Sequence, residues 1–419
     1  MLNPLGREGA DLGHGEPISH HIGHQEQEEY TSLNVALNHS GDSEDVGTSY
    51  PEPEKALPSR LKELWQNHGK TILVVLLMLV VNLSIGIALM DNDKPSDDFT
   101  LKFLVIGDWG RDGAENQTAV AKAMAKVADR LDPEFIISTG DNFYEHGLLS
   151  TDDPQFKTSF SDVYNAHSLQ VPWHVILGNH DYGENEPGYP DKLPAFCGAT
   201  NASCEFGPLS QLALRLHVRD RRWHCERMFQ LTLAGGQVDL FFMDTNPFIL
   251  DYHLRPWANN TGGIAEQSWE SQLLELEYRL ATSQARWKLF FGHHPVRNNH
   301  LPFNTPELVQ HLEPLLTRYG VQAYFSGHEH NMQYLHLEGA PTHYVVSGGG
   351  SKTDYYPEQY WDNGGSIWQH QGSGFLAVTL TENELQCDIM GMKIGAEPLY
   401  KLRINLPLDK EDEEERHWG

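Results

Sequence analysis

Five turns along this chain each place a glycine directly before a side chain that can bind a metal: Gly107-Asp108, Gly140-Asp141, Gly178-Asn179, Gly292-His293 and Gly327-His328. One Gly-Asp pair is an ordinary turn signal. Five such pairs, each closing an apolar run and offering Asp, Asp, Asn, His and His in that order, read as one donor set. His330 stands two residues beyond His328, and in extended chain that spacing points both rings to the same side. Asp141 and Tyr144 come from a single turn, where a carboxylate and a phenol can converge. Hard oxygens with imidazole nitrogens are the donors of a metal centre.

Donors of this kind need strands to carry them, and the runs before the five turns have the right composition. TLKFLVIGD, EFIISTGD, VPWHVILGNHD, WKLFFGHHP and QAYFSGHEH read as buried strands, as does VDLFFMDTN. Between the first two, QTAVAKAMAKVADRLD has helical spacing, which makes a βαβ unit. QSWESQLLELEYRLATSQA and TPELVQHLEPLLTRYG also read as helices. THYVVSGGGS, GFLAVTLTENELQCDIM and LYKLRINLPL are expected to form strands and hairpins closing a second sheet. The expected architecture over residues 99–408 is one α/β domain, sheets packed together with helices outside. Sites in such domains sit in the loops at the C-terminal strand ends.

The rest of the 419-residue chain divides by composition. Residues 1–70 are polar, with little apolar periodicity, and read as a disordered tail whose His14, His20, His21 and His24 are scattered polar groups, with loose metal binding as the alternative. Thr71 to Met90, TILVVLLMLVVNLSIGIALM, carries no charge and would rise roughly 30 Å as a helix, enough to cross a bilayer. Lys55, Arg60, Lys62 and Lys70 precede it, whereas Asp91, Asp93, Asp97 and Asp98 follow, so the N-terminal side is expected in the cytoplasm. Residues 91–98 are then a linker and 409–419 an acidic tail. The expectation is a single-pass type II membrane protein with its α/β domain in a lumen, a vacuole or the exterior. Cys197, Cys204, Cys225 and Cys387 all lie beyond the span, as do the sequons at Asn116, Asn201 and Asn259. Four cysteines allow three pairings, with Cys197–Cys204 the first candidate. The formal charge of −28, from 58 acidic and 30 basic side chains, argues against nucleic acid as a partner. No G-x-S-x-G elbow is present, so serine-nucleophile chemistry has no support.

The blocks GDWG, GDNFY, GNHD, GHHP and GHEH, in this order, resemble the five motif blocks of the purple acid phosphatases, in the calcineurin-like metallophosphoesterase superfamily. The resemblance spans about residues 99–406 and is nearest to the small, tartrate-resistant-like branch; the span and the long tail depart from it. It implies a four-layer sandwich of two mixed β-sheets flanked by α-helices. It also implies that Asp108, Asp141, Tyr144 and His330 hold a ferric ion. Asn179, His293 and His328, with Asp141 bridging, would hold a divalent partner, iron, zinc or manganese. The fourth block usually has valine three places before its histidine; Phe290 stands there, which reads as a packing change. His294 is expected behind the ligands or at the surface.

Such a centre suits phosphate esters. Two carboxylates and a phenolate against a trivalent and a divalent ion leave, after one hydroxide, net positive charge that attracts a phosphate anion. Ions about 3.5–4 Å apart clamp phosphoryl oxygens and acidify a bound water, which predicts hydrolysis of phosphate monoesters, small or on phosphoproteins, with an acidic optimum. His180 is the candidate acid for the leaving group and, with Asn179, a substrate contact; Asp181 could orient it. His300 is a further candidate at the mouth, although its distance from His293 departs from the family's second histidine. Asn246 to Ala265 is long enough for a lid, and relatives carry a cleavable repressing loop there. Two other readings stay open: a calcineurin-like phosphodiesterase or protein phosphatase with two divalent ions, and an iron-binding ectodomain with incidental turnover. Tyr144 separates the first from the ferric reading, because a hard phenolate favours Fe(III).

Overall fold

Two seven-stranded mixed sheets pack face to face in the computed structural model, which describes residues 98–184, 206–299, 304–354 and 365–406. The first sheet begins as the expected βαβ unit: β1 (Thr100–Ile106), α1 (Gln117–Leu131) and β2 (Phe135–Ser138), with β1 and β2 parallel. β3 (Trp173–Val175) and β4 (Trp223–Cys225) extend it in parallel, and two short helices, α2 (Leu209–Leu212) and α3 (Leu214–Arg219), lie between them in sequence, just before β4. The second sheet takes β5 (Met228–Leu233), β6 (Val238–Met243), β7 (Trp287–Phe291), β8 (Ala323–Ser326), β9 (Met332–His336), β10 (His343–Ser347) and β11 (Ser366–His370).

The alternation of side chains builds the layers. Along β1, Leu101, Phe103 and Val105 face the core between the sheets, while Leu104 and Ile106 face the opposite way, onto Val120, Ala121 and Met124 of α1. Along β6, Leu240 and Phe242 face inward, whereas Phe241 and Met243 face α4 (Trp269–Thr282), α5 (Pro306–His311) and α6 (Glu313–Arg318). The order is therefore helix, sheet, sheet, helix. A ladder of stacked rings, Phe229, Phe242, Phe291 and Phe325, crosses β5 to β8 with centroids 4.2, 4.9 and 5.0 Å apart. Each contact contributes roughly 0.5–1.5 kcal/mol beyond area burial. Phe103 meets this ladder edge-on at Phe291, 6.4 Å away, so β1 and β7 are held at a fixed offset.

Three expectations change. The C-terminal strands do not close one sheet: β12 (Gly374–Thr381), β13 (Glu384–Gly391) and β14 (Tyr400–Asn405) return to the first sheet, with β12 antiparallel to β1, whereas β9 to β11 belong to the second. The expected helix over 305–320 is two, α5 and α6, because Pro314 has no N–H to bond back to Gln310. The segment 246–265 is not an open lid. It winds into short 3-10 turns that bury Phe248, Tyr252, Trp257 and Ile264 in the two outer cores.

The tail, the apolar stretch 71–90, Asn201, and the Cys197–Cys204 pair lie outside the described residues; among the described residues no helix is long and apolar enough to cross a membrane. Cys225 and Cys387 are buried free thiols. Asn116 and Asn259 are exposed.

Candidate metal centre

The parallel strands β1, β2 and β3 of one sheet and β7 and β8 of the other end side by side, and all five glycine turns meet there. The recurrent glycine has a steric cause. A Cβ on Gly178 would lie 2.1 Å from Asp141 Oδ1, and one on Gly327 would lie 2.3 Å from Asp108 Oδ2. These two glycines, and Gly140 beside His293, leave room for a donor from another turn, whereas a Cβ on Gly107 or Gly292 would meet the Thr139 or Tyr324 hydroxyl. Asp108, Asp141 and His328 themselves adopt positive φ of 61°, 51° and 69°, conformations that non-glycine residues hold mainly where surrounding contacts impose them. Those contacts are visible: His328 N–H donates to Asp108 at 3.0 Å, and His180 N–H donates to Asp141 Oδ1 at 3.0 Å.

The donors fall into two groups. In one, Tyr144 Oη lies 2.9 Å from Asp141 Oδ2, 3.2 Å from Asp108 Oδ1 and 2.9 Å from His330 Nε2. In the other, Asn179 Oδ1 lies 2.9 Å from His293 Nε2 and 3.0 Å from His328 Nδ1, with His293 Nε2 3.5 Å from Asp141 Oδ1. The two oxygens of Asp141 thus face different groups. The structure brings together Asp108, Asp141, Tyr144, Asn179, His293, His328 and His330, and sets His180 beside them. His300 lies outside the described residues.

The chemistry of this set fits a pair of cations. His293 donates its Nδ1–H to Thr139 O at 2.8 Å, and burial lowers its pKa to about 4, so the neutral ring turns a lone pair at Nε2 toward the site. Asn179 donates its Nδ2–H to Glu184 at 2.7 Å, which leaves its Oδ1 facing that lone pair. Two acceptors confront each other at 2.9 Å, an arrangement that a cation satisfies. In the other group, burial and the Asp141 charge push Asp108 well above the usual carboxylate range. Burial, then Asp108 and Asp141, do the same to the Tyr144 phenol. A cation among these oxygens would reverse that cost by favouring their anionic forms. At Asp141, burial would raise the pKa, but His293, His180 and His328 together hold it at about 2.

The surroundings hold these donors in place. His330 turns its Nδ1 toward Asp354 Oδ2, 3.0 Å away, leaving Nε2 for the centre. His294, expected behind the ligands or at the surface, is buried: its nitrogens face Thr245 Oγ1 and Tyr252 Oη at 2.8 and 3.0 Å, and its ring packs on His328. Both its nitrogens thus have hydrogen-bond partners, although a ring nitrogen of His294 lies within 4.8 Å of those of His293 and His328. Phe290 is buried in the outer core of the second sheet, stacked on Tyr324 at 5.5 Å, as a packing change would be.

Asp181 does not orient His180 as expected. Its carboxylate accepts from the backbone N–H groups of Asn142, Phe143 and Gly178 and from the Gln211 side chain, which ties the second turn to the third. His180 donates its Nδ1–H to the Glu145 carbonyl at 2.7 Å instead, and its Nε2 lies 4.0 Å from Asp141 Oδ2. Asp181→Ala should consequently act on stability first, leaving three buried N–H groups unpaired at a cost of about 3–5 kcal/mol, read as a fall in the denaturation midpoint. An unchanged midpoint would contradict the bracing role.

Spacing along the sequence does not pick out Glu145, Glu184 or Asp354. Glu184 shares a turn with Asn179 and carried a local signal; the other two act through a main-chain carbonyl and a distant loop, for which sequence has no pattern.

Comparison with known proteins shows the family of the chain. The calcineurin-like phosphoesterase family matches residues 101–332. Purple acid phosphatase 4 of Arabidopsis thaliana is 35% identical over 349 residues, covering 81% of this chain and 94% of that protein. Tartrate-resistant acid phosphatase type 5 of Oryctolagus cuniculus is 31% identical over 356 residues, covering 78% and 97%. Among solved structures, GAP50, described as the anchor in the inner membrane complex of Plasmodium, superposes with a TM-score of 0.56 at 20% identity, covering 74% of this chain and 90% of that one. A purple acid phosphatase from yellow lupin seeds gives 0.52 at 15% identity, covering 73% and 54%. These two structural likenesses concern the fold alone.

Proposed function

The chain belongs to the purple acid phosphatases, within the calcineurin-like phosphoesterases, and is an acid phosphatase; on that premise we propose that it hydrolyses phosphate monoesters, small or carried on protein, at a centre of one ferric and one divalent ion. The observation that carries this reading is the division of seven donors into two groups joined by the two oxygens of Asp141. Asp108, Asp141, Tyr144 and His330 would hold the ferric ion. Asp141, Asn179, His293 and His328 would hold the divalent one, iron, zinc or manganese. When bound, the ions supply Lewis-acid charge for the phosphoryl oxygens and an acidified water.

The chain's own groups do the rest. His180, with Nδ1–H anchored on the Glu145 carbonyl, keeps its Nε2 for the substrate side, where as the imidazolium it gives a proton to the departing oxygen. Asn179 and His180, with His300, are the proposed substrate contacts. The Thr139 carbonyl sets the tautomer of His293 so that its Nε2 presents a lone pair, and the Asp354 carboxylate stands 3.0 Å from His330 Nδ1, on the side of the ring away from the centre.

Tyr144 provides the test. The wild-type protein, loaded with iron, should absorb visible light through phenolate-to-iron charge transfer, and Tyr144→Phe should lose that band entirely while keeping the divalent site filled. A colourless wild-type protein containing manganese in place of iron would favour the centre of two divalent ions. A coloured protein unable to hydrolyse an aryl phosphate at acidic pH would favour the iron-binding ectodomain. The apolar stretch 71–90 and the charges flanking it support a type II orientation. Protease treatment of sealed right-side-out vesicles should digest the phosphatase domain and spare the N-terminal tail; the reverse pattern would exclude this orientation.

A further inference from the structure

Arg111, three residues after the first donor, is nearly buried, and burying a guanidinium is costly unless its charge is used. Its Cζ lies 3.6 Å from the centroid of the Tyr144 ring, and its Nη1 lies 2.5 Å from Glu145 Oε1. The main chain of the same turn joins in: Arg111 N–H donates to Gln117 Oε1 at 3.0 Å, and Tyr144 N–H donates to the carbonyl of Gly110 at 2.8 Å. Glu145 in turn carries the carbonyl that receives the Nδ1–H of His180, whose ring lies 4.5 Å from that of Tyr144. One cation thus touches the proposed colour-giving ligand and, through a carboxylate, the residue that aims the proposed acid.

We propose that Arg111 is a positioning residue for both halves of the reaction, stabilising Tyr144 as an anionic ligand through its ring and fixing the Glu145 peptide that directs His180. The inference rests on the reading of Tyr144 as a ligand to ferric iron. An ionised phenol has a more negative face than a neutral one, so a guanidinium stacked on it is attracted more strongly. The attraction also leaves an optical trace. Arg111 sits against the ring, and the metal binds at the hydroxyl end, farther from the charge. Arg111 therefore lowers the donor orbital of the phenolate more than the acceptor orbital of the metal, which widens the charge-transfer gap.

The test compares Arg111→Met, which keeps an apolar side chain of some length in the buried position, with Arg111→Lys and Glu145→Gln in the metal-loaded full-length protein. Arg111→Met should move the visible band to longer wavelength by roughly 10–30 nm. Its kcat should fall about 10–100-fold, with KM changed by less than about threefold. Arg111→Lys should recover part of both effects. Glu145→Gln should lower kcat without moving the band to longer wavelength, since it keeps the guanidinium on the Tyr144 ring and removes only its counter-charge. A folded Arg111→Met protein with an unmoved band and unmoved kcat would overturn the proposal, because a purely structural arginine leaves the spectrum alone. Should Arg111→Met fail to fold, the band of Arg111→Lys decides by the same criterion. A wild-type protein with no visible band would instead overturn the assignment of Tyr144.

Discussion

Asp141→Ala is expected to abolish phosphatase activity, a fall on the order of 10³-fold or more in kcat/KM, and to strip both ions from the centre together. Losing a residue that merely supports a ligand costs roughly 10–100-fold, and Asp141 stands closer to the reaction than that. Its Oδ2 lies 2.9 Å from Tyr144 Oη and its Oδ1 3.5 Å from His293 Nε2, so one substitution removes a donor from each group. Asp108→Ala removes a donor from one group only, and His328→Ala from the other. Elemental analysis should therefore find both ions depleted in Asp141→Ala, and mainly one in each of the others. The polypeptide itself should survive, because removing one of two buried, mutually repelling carboxylates relieves Asp108. An Asp141→Ala protein with full metal content and wild-type turnover would refute the bridging role.

His180→Ala should lower kcat by about 10²–10⁴ for alkyl phosphates, whose leaving group needs a proton, and by much less for an aryl phosphate with an acidic phenol. Metal content should stay at the wild-type level, since His180 Nε2 lies outside both donor groups, 4.0 Å from Asp141 Oδ2. The dependence on leaving group is the discriminating part. A structural histidine would slow both substrates alike, and equal losses would remove His180 from the proton-transfer role. Glu145 matters here through its main chain, so the aim of His180 is set by backbone geometry at the second turn, a constraint that no reading of side-chain types could reveal.

Much of the fold was legible because its signals are local. The alternation in TLKFLVI and VDLFFM reports which residues face which layer, and the helical spacing of QTAVAKAMAKVADRL reports the first crossover. Where the reading went astray, a local irregularity or a distant partner was responsible. Pro314 divides a helix that periodicity treats as continuous. β12 could pair with any open edge, and its place beside β1 follows from packing Phe375, Leu376 and Val378 on both faces of the first sheet.

The sequence by itself determined the kinds and order of the donors, since glycine turns after apolar strands can be recognised one turn at a time. It also determined the likeness to the purple acid phosphatases. Only the tertiary structure decided which donors share a group, which oxygen of Asp141 faces which, and that Glu145, Asp354 and Arg111 stand behind them. The reason is distance along the chain. The N–H of His328 reaches Asp108 across 220 residues, and His293 reaches the carbonyl of Thr139 across 154. Such contacts exist only after two sheets have been pressed together by a shared apolar core, and no short window of sequence contains both partners.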